Sequence, residues 1–320
     1  MKFRSDPSRI KGSIAPVVTP FDDSLCVDLA ALEQLIRWQL DNGTHGISVL
    51  GSTGEPSVQT LDERRDVLRT AAHVVNDHVP FFPGTGSGRL DETLELTALA
   101  RDLGADAVLV LTPPYSRPTQ EGLFDWYSRI ASEFPDLPIV AYNVPIRTAV
   151  DLHPSTLGRL RRTHHNIVGV KETTKDFEHA SYVINECGRD FLVYCGIELL
   201  CYPLLAIGGV GFLSCVANVD PVRCAALYDA FAAGNHNQAQ ELHYALHPLV
   251  DLAFLETNPG PVKWAMEQLG IVPSGRVRPP LVSPAPANQN LIAAKLEEAG
   301  LTGPAAVRAF GELMTKGGLS

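Results

Sequence analysis

The sequence is poor in the features that mark nucleic-acid, membrane, disulfide-built or dinucleotide-binding proteins. Its 26 basic residues face 36 acidic ones, and the net charge of −10 has the wrong sign for a phosphate-backbone footprint. A small anionic ligand stays open, because the charge of a site need not follow that of the whole chain. The six cysteines, Cys26, Cys187, Cys195, Cys201, Cys215 and Cys224, never fall at CxxC spacing. Cys195 and Cys201 lie closest together, and nothing nearby completes a zinc set. Free, buried thiols in a reducing compartment are expected, hence a cytoplasmic protein. No apolar segment follows the charges of Met1-Lys-Phe-Arg-Ser-Asp6, so a secretory signal is not expected. Leu199 to Val219 is uncharged and long enough to span a bilayer, but Pro203, Gly208, Gly209, Gly211 and Asn218 interrupt it. It reads as a buried helix turning into a buried strand. The first turn, Thr19-Pro20-Phe21, lacks the glycines of a dinucleotide site. Gly84-Thr-Gly-Ser-Gly88 and Gly208-Gly-Val-Gly211 are weak look-alikes, read as a tight turn and as packing.

What remains is a globular composition, 45% hydrophobic with 19% charged residues, in a chain long enough to bury a large core. Short apolar runs at 13–19, 46–50, 79–84, 107–111, 138–142, 167–171, 191–195 and 211–214 alternate with amphipathic helical patterns. Continuous apolar runs suit strands buried on both faces. Eight such units predict an α/β fold, a closed (β/α)8 TIM barrel over residues 1–234. Residues 235–320 form a C-terminal helical extension, with patterns at 238–254, 261–269, 289–298 and 304–316 and a proline-rich connection from Pro273 to Pro286.

Barrel enzymes carry their reacting groups at the C-terminal ends of the strands. The sixth run closes on Lys171, followed by Glu172-Thr173-Thr174, and the fifth on Tyr142 in Ala141-Tyr142-Asn143-Val144-Pro145. An amine beside a phenol can attack a ketone and move the protons that attack requires. Alone, such a lysine is ordinarily a solvated charge, and such a tyrosine a core residue bonded to a carbonyl. The second run ends in Gly51-Ser52-Thr53-Gly54-Glu55, whose hydroxyls and successive N–H groups suit a carboxylate. That stretch can equally be a plain loop with Glu55 as a surface acid. Tyr115, between prolines, is a site residue, or else an exposed aromatic or a subunit contact. Arg147 binds an anion or pairs with Asp151 at the surface. Glu198, after Cys195-Gly196-Ile197, lines the site or is an early helical acid favoured by the dipole. Placement of all of them at one mouth favours the site.

In these motifs the chain resembles the dihydrodipicolinate synthase and N-acetylneuraminate lyase family of Schiff-base pyruvate aldolases. The resemblance runs from Gly12 to about Leu301 and rests on Gly51-Ser-Thr-Gly-Glu55, Tyr142-Asn-Val-Pro145, Gly169-Val-Lys-Glu172 and Glu256-Thr-Asn-Pro-Gly-Pro-Val-Lys-Trp264. It implies that Lys171 forms an imine with C2 of pyruvate or another 2-oxo acid. Tyr142 then serves as acid and base, and Ser52 and Tyr115 relay protons, Tyr115 reaching in from a neighbouring subunit. Thr53 and adjacent amides hold the pyruvate carboxylate, and Gly196, Glu198 and Leu213 are assigned to the substrate-binding wall. A homotetramer, a dimer of dimers, is implied, with no metal or organic cofactor. No paired-carboxylate metal pattern appears, and the adjacent His164 and His165 cannot easily share an ion.

Arg147 and the tail from Asn258 lean toward the synthase branch, in which pyruvate is joined to aspartate semialdehyde. Gly196-Ile197-Glu198 departs from that branch, which commonly has Gly-Asp-Asp there, and Ser52 replaces its usual threonine while keeping the hydroxyl. Pro114, Leu61 and Arg64 occupy places of lysine-binding residues, so a lysine feedback site is not expected. The alternatives are a paralogous aldolase or dehydratase acting on a 2-oxo-3-deoxy acid or dicarboxylic 2-oxo acid, and a non-catalytic ligand-sensing barrel.

Overall fold

The structure, a computed structural model, describes residues 6–303. Seven strands are parallel: β1 (Gly12–Pro16), β2 (Gly46–Ser48), β3 (Val108–Leu111), β4 (Ile139–Asn143), β5 (Ile167–Glu172), β6 (Leu192–Cys195) and β7 (Gly211–Phe212). They lie in the order β2-β1-β7-β6-β5-β4-β3. The run expected at 79–84 is not a regular strand, because Pro80 and Pro83 have no N–H to give to a ladder. It pairs all the same. Phe82 and Gly84 donate to Ile47 and Val49 carbonyls on one side, at 2.9 and 2.7 Å, and Leu109 donates to the Pro83 carbonyl on the other, at 2.8 Å. This segment closes the sheet between β2 and β3, giving the (β/α)8 TIM barrel.

Successive strand side chains point to opposite faces, and here they feed two apolar layers. Along β4, Val140 and Tyr142 join an inner cluster with Ile14, Phe82, Leu109, Tyr194 and Leu213. Ile139 and Ala141 pack instead into the outer cluster, which holds helix residues such as Leu35 and Val67. The helices start where local chemistry lets them. Thr60 accepts from the Glu63 N–H at 3.2 Å while Glu63 accepts from the Thr60 N–H at 2.8 Å, a reciprocal cap for Leu61–Val75. Gly84 and Gly86 do not need left-handed backbone; they allow close approach, since a Cβ would strike the Leu50 carbonyl and Leu111 respectively.

The extension differs in detail from expectation. The pattern at 238–254 breaks at Leu246 into His236–Ala245 and His247–Ala253, with Pro248 in the first turn of the second helix. Pro286 opens Pro286–Glu298, and the helix expected at 304–316 lies outside the described residues. Leu249, Leu252, Val262, Met266 and Ile292 share one apolar cluster with the barrel helices. Among the described residues no helix is long and apolar enough to cross a membrane. All six cysteines are free thiols, five of them buried and Cys26 exposed.

Candidate active site

Lys171 and Tyr142 become neighbours through an irregularity in strand pairing. Ile139 pairs with Ile167, but the register then shifts, so that Val140 pairs with Gly169 and Tyr142 with Lys171. Unshifted pairing would set Tyr142 against Val170 and send lysine and phenol to different places. A bulge of this kind re-aims the side chains that follow it. Lys171 Nζ lies 4.4 Å from the centre of the Tyr142 ring, with Lys171 6% exposed and Tyr142 5% exposed. The Tyr142 hydroxyl is 3.3 Å from Ser52 Oγ. The amine thus stands over the face of the phenol ring, whose hydroxyl in turn meets the primary hydroxyl of Ser52.

The lysine stem is confined from β6. A Cβ on Gly196 would come within 2.8 Å of Lys171 Cε and nearer still to Thr173 Oγ1, so this glycine leaves room for the amine. The buried Thr173 hydroxyl has no hydrogen-bond partner among the described residues. Leu213 is a member of the apolar inner layer that contains Tyr142. Glu198 is buried, and its Oε1 accepts from the Cys215 N–H at 3.1 Å, with the Cys215 thiol at 3.2 Å and Ser214 Oγ at 3.5 Å. Burial pushes its carboxyl pKa upward, against the opposing pull of Cys215 and of the Lys171 charge.

On the other side, Thr53 Oγ1 accepts from Asn258 Nδ2 at 3.0 Å, and Arg147 Nη2 donates to the Asn258 carbonyl at 3.0 Å. Arg147 sits on the short helix Pro145–Thr148 that directly follows β4, and it is exposed. It does not pair with Asp151, whose Oδ1 instead accepts from Asn143 Nδ2 at 2.7 Å. Glu55 is not a surface acid: it is 3% exposed and ion-paired with Lys263 at 2.8 Å. Tyr115 stands apart. It is 95% exposed with φ 72, and among the described residues its hydroxyl makes no hydrogen bond to Tyr142.

Reading strand ends alone missed a second polar layer behind the first. Asn143 and Glu172 follow Tyr142 and Lys171 by one residue, pair in register, and face the opposite side of the sheet. Asn143 Nδ2 reaches both Glu172 oxygens at 3.2 Å, and His179 lies 3.2 Å from Glu172 and 3.5 Å from Asp151. Burial opposes charging of His179, but Glu172, Asp151 and Asp176 outweigh it and raise the imidazole pKa. The buried acid at position 172, directly after the lysine, was the available signal. Also passed over were His243 and His247, spaced four apart with ring centroids at 5.1 Å. Among the described residues, no group of three or more His, Cys, Asp or Glu side chains could hold a metal ion.

Comparison with known proteins places this geometry in context. The sequence profile of the Dihydrodipicolinate synthetase family matches residues 9–299. The 4-hydroxy-tetrahydrodipicolinate synthase of Thermus thermophilus is 41% identical over 291 residues, 91% of this chain and 97% of that enzyme. The enzyme of the same name from Thermodesulfovibrio yellowstonii is 42% identical, covering 91% of this chain and 99% of its own length. The crystal structure of the chloride-inhibited dihydrodipicolinate synthase from Acinetobacter baumannii, complexed with pyruvate, superposes with a TM-score of 0.87 at 37% identity, covering 91% of this chain and 99% of that one. A match of such extent in sequence and in fold leaves one conclusion: the chain belongs to the dihydrodipicolinate synthetase family.

Proposed function

We propose that this protein is a Schiff-base lyase that joins pyruvate to aspartate semialdehyde, giving 4-hydroxy-tetrahydrodipicolinate, through an imine at Lys171. The observation that carries the reading is the nearly buried Lys171 amine 4.4 Å over the Tyr142 ring, with Ser52 bonded to the phenol. The neutral amine attacks C2 of pyruvate, and Tyr142 gives a proton to the departing hydroxyl, which leaves as water. The positive imine nitrogen then draws electrons from C3, a proton leaves C3, and the enamine attacks the aldehyde carbon. Tyr142, reprotonated through Ser52, protonates the new alkoxide. The amino group brought in with the aldehyde then attacks C2 and closes the ring, and the C2–Nζ bond breaks as a proton passes to Nζ and Lys171 leaves as the free amine. Thr53 and neighbouring N–H groups receive the pyruvate carboxylate, and Arg147 receives the carboxylate of the aldehyde. Gly196, Glu198 and Leu213 wall the site.

The exposure of Tyr115 supports a role outside its own chain. We place its phenol in the relay of a neighbouring subunit within a homotetramer, in the cytoplasm. The binding of pyruvate by the Acinetobacter relative supports the same keto acid here. A second reading, a paralogue that cleaves or dehydrates a 2-oxo-3-deoxy acid, is favoured by the buried Glu198 in the Gly196-Ile197-Glu198 loop. A panel of aldehydes supplied with pyruvate, run beside a panel of 2-oxo-3-deoxy acids, separates the two. Turnover of aspartate semialdehyde above all other partners is the expected result; cleavage of a sugar acid without it would transfer the assignment to the second reading.

A further inference from the structure

Glu55 links two short 3-10 turns, Ser52–Gly54 and Pro56–Val58, with φ 54, a left-handed value rare for a residue with a side chain. Something must hold this corner in place, and both oxygens of its carboxylate are engaged from the C-terminal extension. Oε1 accepts from Lys263 Nζ at 2.8 Å, and Oε2 accepts from the Arg278 backbone N–H at 3.1 Å. Lys263 is fully buried, donates also to the Thr19 carbonyl at 2.9 Å, and lies 4.0 Å over the Phe21 ring. Asn258 grips the adjacent Thr53 hydroxyl at 3.0 Å. Both residues stand at the N-terminal end of one element, Asn258 just before and Lys263 within the helix Gly260–Gln268. A buried ion pair is a poor source of net stability, because desolvation offsets its attraction. Its geometry here points elsewhere: every bond ends on the turn beside Ser52 or on the loop after β1.

We propose that Lys263, acting with Asn258, is a positioning residue for the keto-acid carboxylate: from the C-terminal extension it clamps Glu55 and so fixes Thr53 and its neighbouring N–H groups where that carboxylate binds. The inference rests on the reading that this turn receives pyruvate, and it makes the extension a working part of the barrel mouth. Removing Lys263 alone would leave a buried carboxylate unpaired, so the informative variants are Asn258→Ala and the double variant Glu55→Gln/Lys263→Met. Each is compared with the unaltered protein by borohydride trapping of pyruvate across a concentration series, read by mass spectrometry, with turnover measured in parallel. Thermal melting identifies folded variants.

Both folded variants should still reach full adduct at Lys171. Their half-saturating pyruvate concentration should rise roughly ten- to a hundredfold, as expected for weakening a hydrogen bond to a charged group. The kcat at saturating pyruvate should stay within about threefold, the pattern of lost ground-state binding. Unchanged half-saturation in a folded variant, or a fall in kcat alone, overturns the proposal. If the double variant does not fold, Asn258→Ala decides by the same criterion. Failure of the unaltered protein to trap pyruvate would instead defeat the functional reading on which the inference rests.

Discussion

A side chain on Gly196 would meet Lys171 Cε at 2.8 Å, and the consequence can be measured. Gly196→Ala should cost roughly 1–3 kcal/mol through overpacking, and should slow adduct formation by displacing the amine. Unchanged trapping kinetics would show that the stem has room to spare. Tyr142→Phe keeps the ring beneath Lys171 but removes the hydroxyl bonded to Ser52. Turnover should fall by roughly 10²–10⁴-fold, as for the loss of a general acid–base group, with the fold intact. Arg147→Ala should raise the KM of the aldehyde far more than that of pyruvate, because its guanidinium is exposed at the mouth. An equal effect on both substrates would argue against its role. At this scale the sequence was informative, since lysine, tyrosine and the hydroxyl turn all end strand patterns. It marked Asn258 and Lys263 only as members of a motif and gave no hint of their contacts, because their partners are 205 and 208 residues away along the chain.

Strands and helices carry a different legibility. Helices Leu61–Val75 and Phe177–Cys187 announce themselves by periodicity and by capping residues, Thr60 and Asp176. The pairing shift between β4 and β5 has no such signature, because register is set by contacts between strands rather than within one. Residues 79–84 mislead in the opposite way: an apolar run with two prolines bonds as a strand only through the groups that remain. One helix joint gives a pH test. The Arg278 guanidinium bonded to Glu63 holds its carboxyl at about 2, below the ordinary 4.5. With the folded value depressed, this contribution is full above the ordinary pKa and is lost as pH falls from about 4.5 toward 2. Glu63→Gln should therefore lower stability to denaturant at neutral pH, and the difference from the unaltered protein should shrink across that acid window. A difference that persisted at the lowest pH would contradict the assignment. His179 runs the other way: its raised pKa makes its contribution full below 6.5 and lost as pH climbs through the folded value.

For the molecule as a whole, strand count and helical punctuation were sufficient to read a barrel with a helical tail. The way the tail is joined was not legible. Its apolar residues enter the same cluster as the barrel helices, and Lys263 and Asn258 reach the turn beside Ser52. Assembly is testable at this scale too. Sedimentation velocity should give a tetramer, and Tyr115→Phe should lower turnover while leaving the mass unchanged; a fully active monomer would remove Tyr115 from the relay. Catalysis as proposed depends on one covalent bond, from Lys171 Nζ to C2 of pyruvate. Incubating the protein with pyruvate and borohydride, then digesting it and mapping the modified peptide, tests that bond most directly. One reduced pyruvate on Lys171, absent from Lys171→Ala, is the expected outcome. An unmodified Lys171 peptide from protein that still turns over pyruvate and aldehyde would contradict it.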